Sequence, residues 1–177
     1  MNIQDVDIAI LRLINQPYLT QLNLFFIIGV FLIYVFLFGI AFILFRKKQF
    51  RKLNHLVVAS IIGYVLIFIL KILVNRPRPY ETFTDIIKIF SKSDPSFPSA
   101  HTALAFLAFY FIPKDLPKWL RYLFYIYFLI LIPVASMYSG VHYPSDVFAG
   151  AMFGIIFPRV ISENFSIKLM RKIFRLK

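Results

Sequence analysis

Cysteine is absent from this 177-residue chain, so neither disulfides nor thiol chemistry can contribute, and the redox compartment is left unmarked. Acidic side chains are few, 8 Asp and Glu against 20 Lys and Arg, and only 16% of residues are charged. No Ser/Gly/Pro-rich linker, repeat or low-complexity tract divides residues 1–177, which reads as a single domain. The start, MNIQDVDIAI, has acids where a secretory signal has bases, so cleavage is not expected. What the chain has in abundance is apolar mass: 60% hydrophobic residues, 22 Phe and a mean hydropathy of +0.76. That composition excludes an ordinary soluble domain and indicates an integral membrane protein.

The expected fold is all-α, about five transmembrane helices plus an N-terminal interfacial amphipathic helix. Residues 1–18 form the interfacial helix, with Ile3, Val6, Ile10, Leu13 and Ile14 on one stripe and charges elsewhere. The bundle occupies 22–162, with spans at 24–45, 56–74, 99–112, 122–138 and 147–161, the third and fifth short; 163–177 is a basic cytoplasmic tail. Lys71 intrudes in the last turn of the second span.

Charge orients these spans. Arg46, Lys47, Lys48, Arg51 and Lys52 follow span one, Lys114, Lys118 and Arg121 follow span three, and the tail adds Arg159, Lys168, Arg171, Lys172, Arg175 and Lys177. Only Asp115 and Glu163 accompany them, whereas the other face balances its bases and acids, so the net charge of +12 sits on one face. By the positive-inside rule that face is cytoplasmic. The basic excess therefore points to membrane insertion and anionic lipid, and no nucleic-acid partner is expected.

Three polar clusters fall on the opposite, outer face: KILVNRPRP at 71–79, PSFPSAH at 95–101 and SGVHYPSD at 139–146. Ionisable groups at membrane depth are costly and usually functional. Pro77 and Pro79 break the second helix and can turn Arg78 back over Lys71, a pair of cations suited to a phosphate-like anion. The plainer reading of either cation alone is snorkelling at a span end. Pro98 and Ser99 mark a helix start, whose free N–H groups also attract anions. Pro144 suits the first position of the fifth span, which places Asp146 in its first turn with His142 one turn before it. A histidine held by an aspartate has a fixed tautomer and a more nucleophilic free nitrogen. The plainer alternative is a capping Asp beside a His in the headgroup layer, and it weakens once His101 and the two cations join them. His55, at the cytoplasmic end of span two, has no such company.

With these residues in place the chain resembles the type-2 phosphatidic acid phosphatase superfamily, membrane lipid phosphatases related in fold to vanadium haloperoxidases and bacterial acid phosphatases. The family's K-x6-R-P is met by Lys71, Arg78 and Pro79, its P-S-G-H by Pro98-Ser99-Ala100-His101, and the end of its S-R-x5-H-x3-D by His142 and Asp146. The resemblance implies catalysis by His142, His101 and Asp146, with His142 forming a phosphohistidine, Asp146 orienting it, and His101 serving as acid and then base. It implies substrate binding by Lys71, Arg78, Ser99 and the backbone at Ala100. No metal or other cofactor is implied, and Glu81, Asp85 and Asp94 are scattered along a loop, not clustered as metal ligands. The implied location is a bacterial inner membrane, multi-pass, with the site facing the periplasm or exterior. The implied partner is a phospholipid-type substrate from the bilayer, with no obligate protein partner.

Two residues depart from the pattern. Ala100 replaces the motif glycine, and the third motif's S-R is Ala135-Ser136, so one phosphate-binding arginine is missing, with Arg76 as its candidate substitute. The loop 81–94, with Ile86, Ile87, Ile89 and Phe90 among charges, reads either as a short interfacial helix or as a connector. Two functions stay open: a lipid phosphate phosphatase, with lipid A 1-phosphate and undecaprenyl pyrophosphate foremost among substrates that include phosphatidylglycerophosphate and phosphatidic acid, and a lipid-phosphate binder or transporter that has lost turnover.

Overall fold

A computed structural model describes residues 3–16 and 20–174, and every regular element among them is helical. This follows from the apolar runs, because lipid offers the backbone no hydrogen-bond partners and a helix satisfies its own. The elements are α1 (Ile3–Ile14), α2 (Thr20–Phe31), α3 (Ile33–Arg46), α4 (Phe50–Val74), α5 (Pro79–Thr82), α6 (Ala100–Tyr110) and α7 (Lys118–Ile126). A π-helical turn (Tyr127–Leu131) then leads into α8 (Ile132–Tyr138), followed by α9 (Pro144–Val160) and α10 (Glu163–Phe174). The protein is a multi-pass membrane protein. Among the described residues, two helical stretches, Phe50–Thr82, which contains α4, and Lys118–Tyr138, are long and apolar enough to cross a bilayer, and up to four spans result if each of two bent pairs is one. The five expected apolar stretches are all helical, α6 being the short one.

The first expected span is not straight: α2 and α3 meet at 41° around Leu32. No proline lies there. Instead, the Tyr127 hydroxyl donates to the Gly29 carbonyl at 2.6 Å, taking the acceptor that Ile33 would use in an unbroken helix. The π turn beginning at Tyr127 precedes Pro133, which has no N–H to give, so the hydrogen-bond ladder shifts to the wider spacing.

The N-terminal helix uses both faces. Val6, Ile10 and Leu13 of the expected stripe are exposed, Leu13 78% so, while Asp7, Ile8, Leu11 and Asn15 are buried against the bundle. The helix is therefore docked, a feature the amphipathic pattern did not convey. Residues 17 and 18 of the expected segment lie outside the described residues. The expected tail is likewise no loose extension. Its described part is α10, bent 75° from α9 and tied to the start of α4 by Arg51, which donates to Glu163 at 2.7 Å and to Asn164 at 2.9 Å. Arg175 and Lys177 lie outside the described residues. Of the two readings of 81–94, the helix fails: beyond Thr82 the segment is irregular and folds back over the bundle end, where the Asn15 side chain bonds Ile87 at both its N–H and C=O.

The pair that matters most for the site is α6 and α9, which carry the second and third motifs. They touch backbone to backbone: a Cβ on Gly150 would lie 2.5 Å from the Ser99 carbonyl oxygen, and one on Gly154 2.3 Å from that of Ala103. Small residues that admit such approach are a usual means of helix association in membranes. Gly154→Ala is expected to push the helices apart and destabilise the protein by roughly 1–3 kcal/mol. Thermal unfolding in detergent checks this, and an unchanged midpoint would contradict the packing described.

Candidate active site

All three motifs meet at one end of the bundle. Helix α4 stops at Val74 because Asn75 turns into the left-handed region (φ 45°), and the chain then reverses through the two prolines. That reversal brings Arg78 back beside Lys71, as the sequence suggested. Both cations are buried, and they share one anion: Asp94 accepts from Lys71 at 3.0 Å and from Arg78 Nη2 at 2.8 Å. Lys71 also donates to the carbonyls of Pro95 and Ser96, and Arg78 to those of Asp94 (2.9 Å) and Val141 (2.6 Å). Burial would push the Asp94 carboxyl up, but Lys71, Arg78 and Lys92 outweigh it and hold it at about 2.

Ser99 is the N-cap of α6. It is fully buried, and its hydroxyl meets the Thr102 hydroxyl at 3.0 Å and accepts from the Thr102 N–H at 3.4 Å. Ala100 and His101 open the helix and line a cavity of about 350 Å³, together with Tyr34, Tyr64, Ile67, Phe68, Lys71, Lys92, Asp94 and Leu104. The lining is thus partly aromatic and aliphatic and partly charged, with Lys71 and Lys92 beside Asp94. His101 Nε2 is buried without a partner, and Tyr34 stands edge-on to the ring at 6.2 Å.

His142 sits two residues beyond Gly140, whose left-handed backbone (φ 71°) makes the turn out of α8. A side chain there would strike the Ile87 carbonyl at 2.6 Å, so the turn needs glycine. His142 is 2% exposed and its Nδ1 lies 3.7 Å from Asp146 Oδ2, beyond hydrogen-bonding range. Catalytic hydrogen bonds are often this long before substrate binds. Asp146 is completely buried and heavily held. Oδ1 accepts from Arg76 at 2.6 Å, and Oδ2 accepts from the Tyr143 N–H at 2.9 Å and from the Ser96 hydroxyl. His142 does not line the cavity, but it lies within electrostatic range of Lys71, Arg78 and His101.

Arg76 takes a different position from the one its sequence suggested. Its guanidinium bonds Asp146, Ser145 (2.7 Å) and Asp7 (2.9 Å) and stacks 3.8 Å over the Tyr143 ring. It braces the carboxylate from behind and is not among the residues of the cavity wall. Asp7 completes the brace by accepting from the Ser145 N–H at 2.8 Å and from the Ser145 hydroxyl. At Ser136, where the family's arginine is missing, the buried hydroxyl only donates to the Ile132 carbonyl in its own helix. His55 stays outside the site, buried edge-on to Phe111 at the far end of α4.

Three residues of this end escaped the sequence reading. In the sequence Asp7 and Lys92 count only toward the balanced charge of the outer face, and Asp94 is one of the acids scattered along the loop. In the structure Lys92 reaches into the cavity, its ammonium 3.2 Å from His101 Nδ1. Burial, with Arg78 and Lys71 acting the same way against Asp94, pulls it down to about 8. A signal was present: a lysine between serines directly upstream of PSFPSAH, close enough along the chain for its long side chain to return to the helix start.

Comparison with known proteins identifies the fold and the family. The crystal structure of LpxE from Aquifex aeolicus superposes with a TM-score of 0.77 at 32% identity, over 95% of this chain and 99% of that one. The transmembrane PAP2 type phosphatidylglycerolphosphate phosphatase of Bacillus subtilis shares the fold, with a TM-score of 0.68 at 23% identity over 99% of this chain and 89% of its own. The undecaprenyl-diphosphatase of Sulfolobus acidocaldarius is 29% identical over 109 residues, which is 60% of this chain and 52% of that protein. The chain spans about half the length of the curated relatives it matches. With the family model matching residues 52–166, across every motif residue of the site, the chain belongs to the PAP2 superfamily.

Proposed function

We propose that the protein is a membrane-embedded phosphatase that removes phosphate from an envelope lipid, with lipid A 1-phosphate and undecaprenyl pyrophosphate as its foremost substrates. One observation carries the reading: an anion, the Asp94 carboxylate, already bridges Lys71 and Arg78 at the cavity that His101 lines. A phosphate entering from the bilayer displaces Asp94 and takes over these cations, while the apolar wall of Tyr64, Ile67, Phe68 and Leu104 holds the lipid.

With phosphorus over His142, the imidazole attacks in line, the P–O bond to the lipid breaks, and the leaving oxygen takes a proton from His101. Asp146, fixed by Arg76, the Tyr143 N–H and Ser96, stabilises the charge His142 acquires. His101, now a base, activates the water that cleaves the phosphohistidine. Lys71, Arg78 and the N–H groups at the start of α6, around Ser99 and Ala100, hold the equatorial oxygens. None of these steps requires a metal. The basic loops at the opposite end, around Lys47 and Arg51, support an inner-membrane orientation with the site on the periplasmic or exterior side.

Purified protein given these lipids, phosphatidylglycerophosphate and phosphatidic acid in detergent, with a chelator present, is expected to release inorganic phosphate from at least one. Absence of release from all of them, with binding retained, would instead identify a lipid-phosphate binder.

A further inference from the structure

A positive charge is missing from this site. Ser136 leaves the third motif without its arginine, and the nearby arginines do not replace it: Arg76 is engaged by Asp7, Ser145 and Asp146, and Arg78 by Asp94 and Val141. Lys92 differs from both. Its backbone is clamped, since Tyr80 Oη donates to the Lys92 carbonyl at 2.9 Å and accepts from the Lys92 N–H at 3.3 Å. Its side chain leaves this anchor for the cavity and ends on an imidazole nitrogen, 3.2 Å away. A snorkelling lysine runs towards water; this one runs into a partly desolvated pocket where, among the described residues, its one side-chain contact inside hydrogen-bonding range is a neutral acceptor. A half-buried ammonium without a carboxylate of its own is poised for an anion.

We propose that Lys92 contacts the substrate phosphate and supplies the positive charge that the family draws from the arginine absent at position 136. In the structure its ammonium rests on His101 Nδ1, which leaves the proton of that ring on Nε2, the other ring nitrogen. When phosphate arrives, the ammonium moves to a non-bridging oxygen. The groups facing it are Asp94 on its own loop, Lys71 on α4, Arg78 before α5, His101 on α6, and the ring of Phe90 at 6.0 Å. Asp94 is shared with Lys71 and Arg78, so displacement of that carboxylate by phosphate leaves three cations around one anion. Because arginine stays protonated at any accessible pH and lysine here does not, the substitution of one for the other leaves a signature in the pH dependence.

The inference rests on the phosphatase reading, and its test separates the two. Wild type, Lys92→Ala and Lys92→Arg are purified as full chains, their folding checked by thermal unfolding. Phosphate release from micellar lipid A 1-phosphate, undecaprenyl pyrophosphate and phosphatidic acid is followed from about pH 6 to about pH 10. Binding of inorganic phosphate is measured in parallel by calorimetry. Lys92→Ala is expected to lower kcat/KM by about 10²-fold and Lys92→Arg by less than about 10-fold. Wild-type kcat/KM should fall as pH rises through about 8, where Lys92 loses its proton, and that limb should vanish in Lys92→Arg. Phosphate affinity should fall with the alanine variant as well. A folded Lys92→Ala within about threefold of wild type, or an alkaline limb unmoved in Lys92→Arg, overturns the assignment. A wild type inert on all three lipids whose phosphate binding still needs Lys92 would count against the phosphatase reading and for this one. Phosphate binding indifferent to Lys92 would count against Lys92.

Discussion

His142→Ala is expected to reduce phosphate release by at least about 10⁴-fold while leaving the protein folded. The size follows from what the imidazole does. It provides the atom that bonds to phosphorus, so no remaining group can hold the intermediate, and residual rate would come only from the cations positioning phosphate for direct attack by water. Stability should change little, because the His142 ring nitrogen that faces Asp146 makes no hydrogen bond to the described residues: Nδ1 is buried without a partner and 3.7 Å from the carboxylate. Removing an imbalanced polar group of that kind costs chiefly the volume left behind. Assay of lipid phosphatase activity, set beside a thermal midpoint in the same detergent, separates the two effects. A variant that keeps a tenth of wild-type activity would remove His142 from the chemistry.

Asp146→Asn is expected to lower kcat by about 10³- to 10⁴-fold, nearly as much, although Asp146 touches no reacting atom. Its carboxylate is where Arg76, Tyr143, Ser96 and His142 converge, the farthest of them 70 residues away along the chain, drawn from three different segments. Asparagine keeps the shape and can still accept from the Tyr143 N–H, yet it has no charge with which to steady a cationic phosphohistidine. It also removes one of the two carboxylates that hold Arg76, which keeps Asp7 and the Ser145 hydroxyl, at a cost of about 1–3 kcal/mol. The variant should therefore be both slow and less stable, in contrast to His142→Ala. Kinetics combined with unfolding curves would show this, and a slow Asp146→Asn of wild-type stability would argue against the Arg76–Asp146–Asp7 brace.

The parts of this site visible in the sequence are those set by local geometry. The seven-residue step from Lys71 to Arg78 with prolines around it, the proline-serine start before His101, and the four-residue step from His142 to Asp146 each specify a short stretch of backbone, and each folds as expected. What the sequence did not convey depends on partners far along the chain. Asp7 meets Ser145 across 138 residues, and only the docking of α1 makes that contact. Lys92 is near His101 in sequence, but its direction is set by Tyr80 holding its backbone. The bend at Leu32 is similarly invisible in a uniformly apolar run, since its cause, the Tyr127 hydroxyl, lies 98 residues from Gly29. Periodicity found the helices, whereas the competition for a single carbonyl decided where one of them broke.

The central claim, covalent catalysis by His142, is tested most directly by trapping the intermediate. In His101→Ala the base that activates water is gone, while an aryl phosphate ester, whose leaving group departs without a proton, still allows the first step. After an alkaline quench, which preserves phosphohistidine, mass spectrometry of the digested protein should find one phosphoryl group on the peptide bearing His142, and none when His142→Ala is added. An unmodified His142 peptide alongside continued release of phosphate, or a phosphoryl group carried by any other residue, would contradict the account.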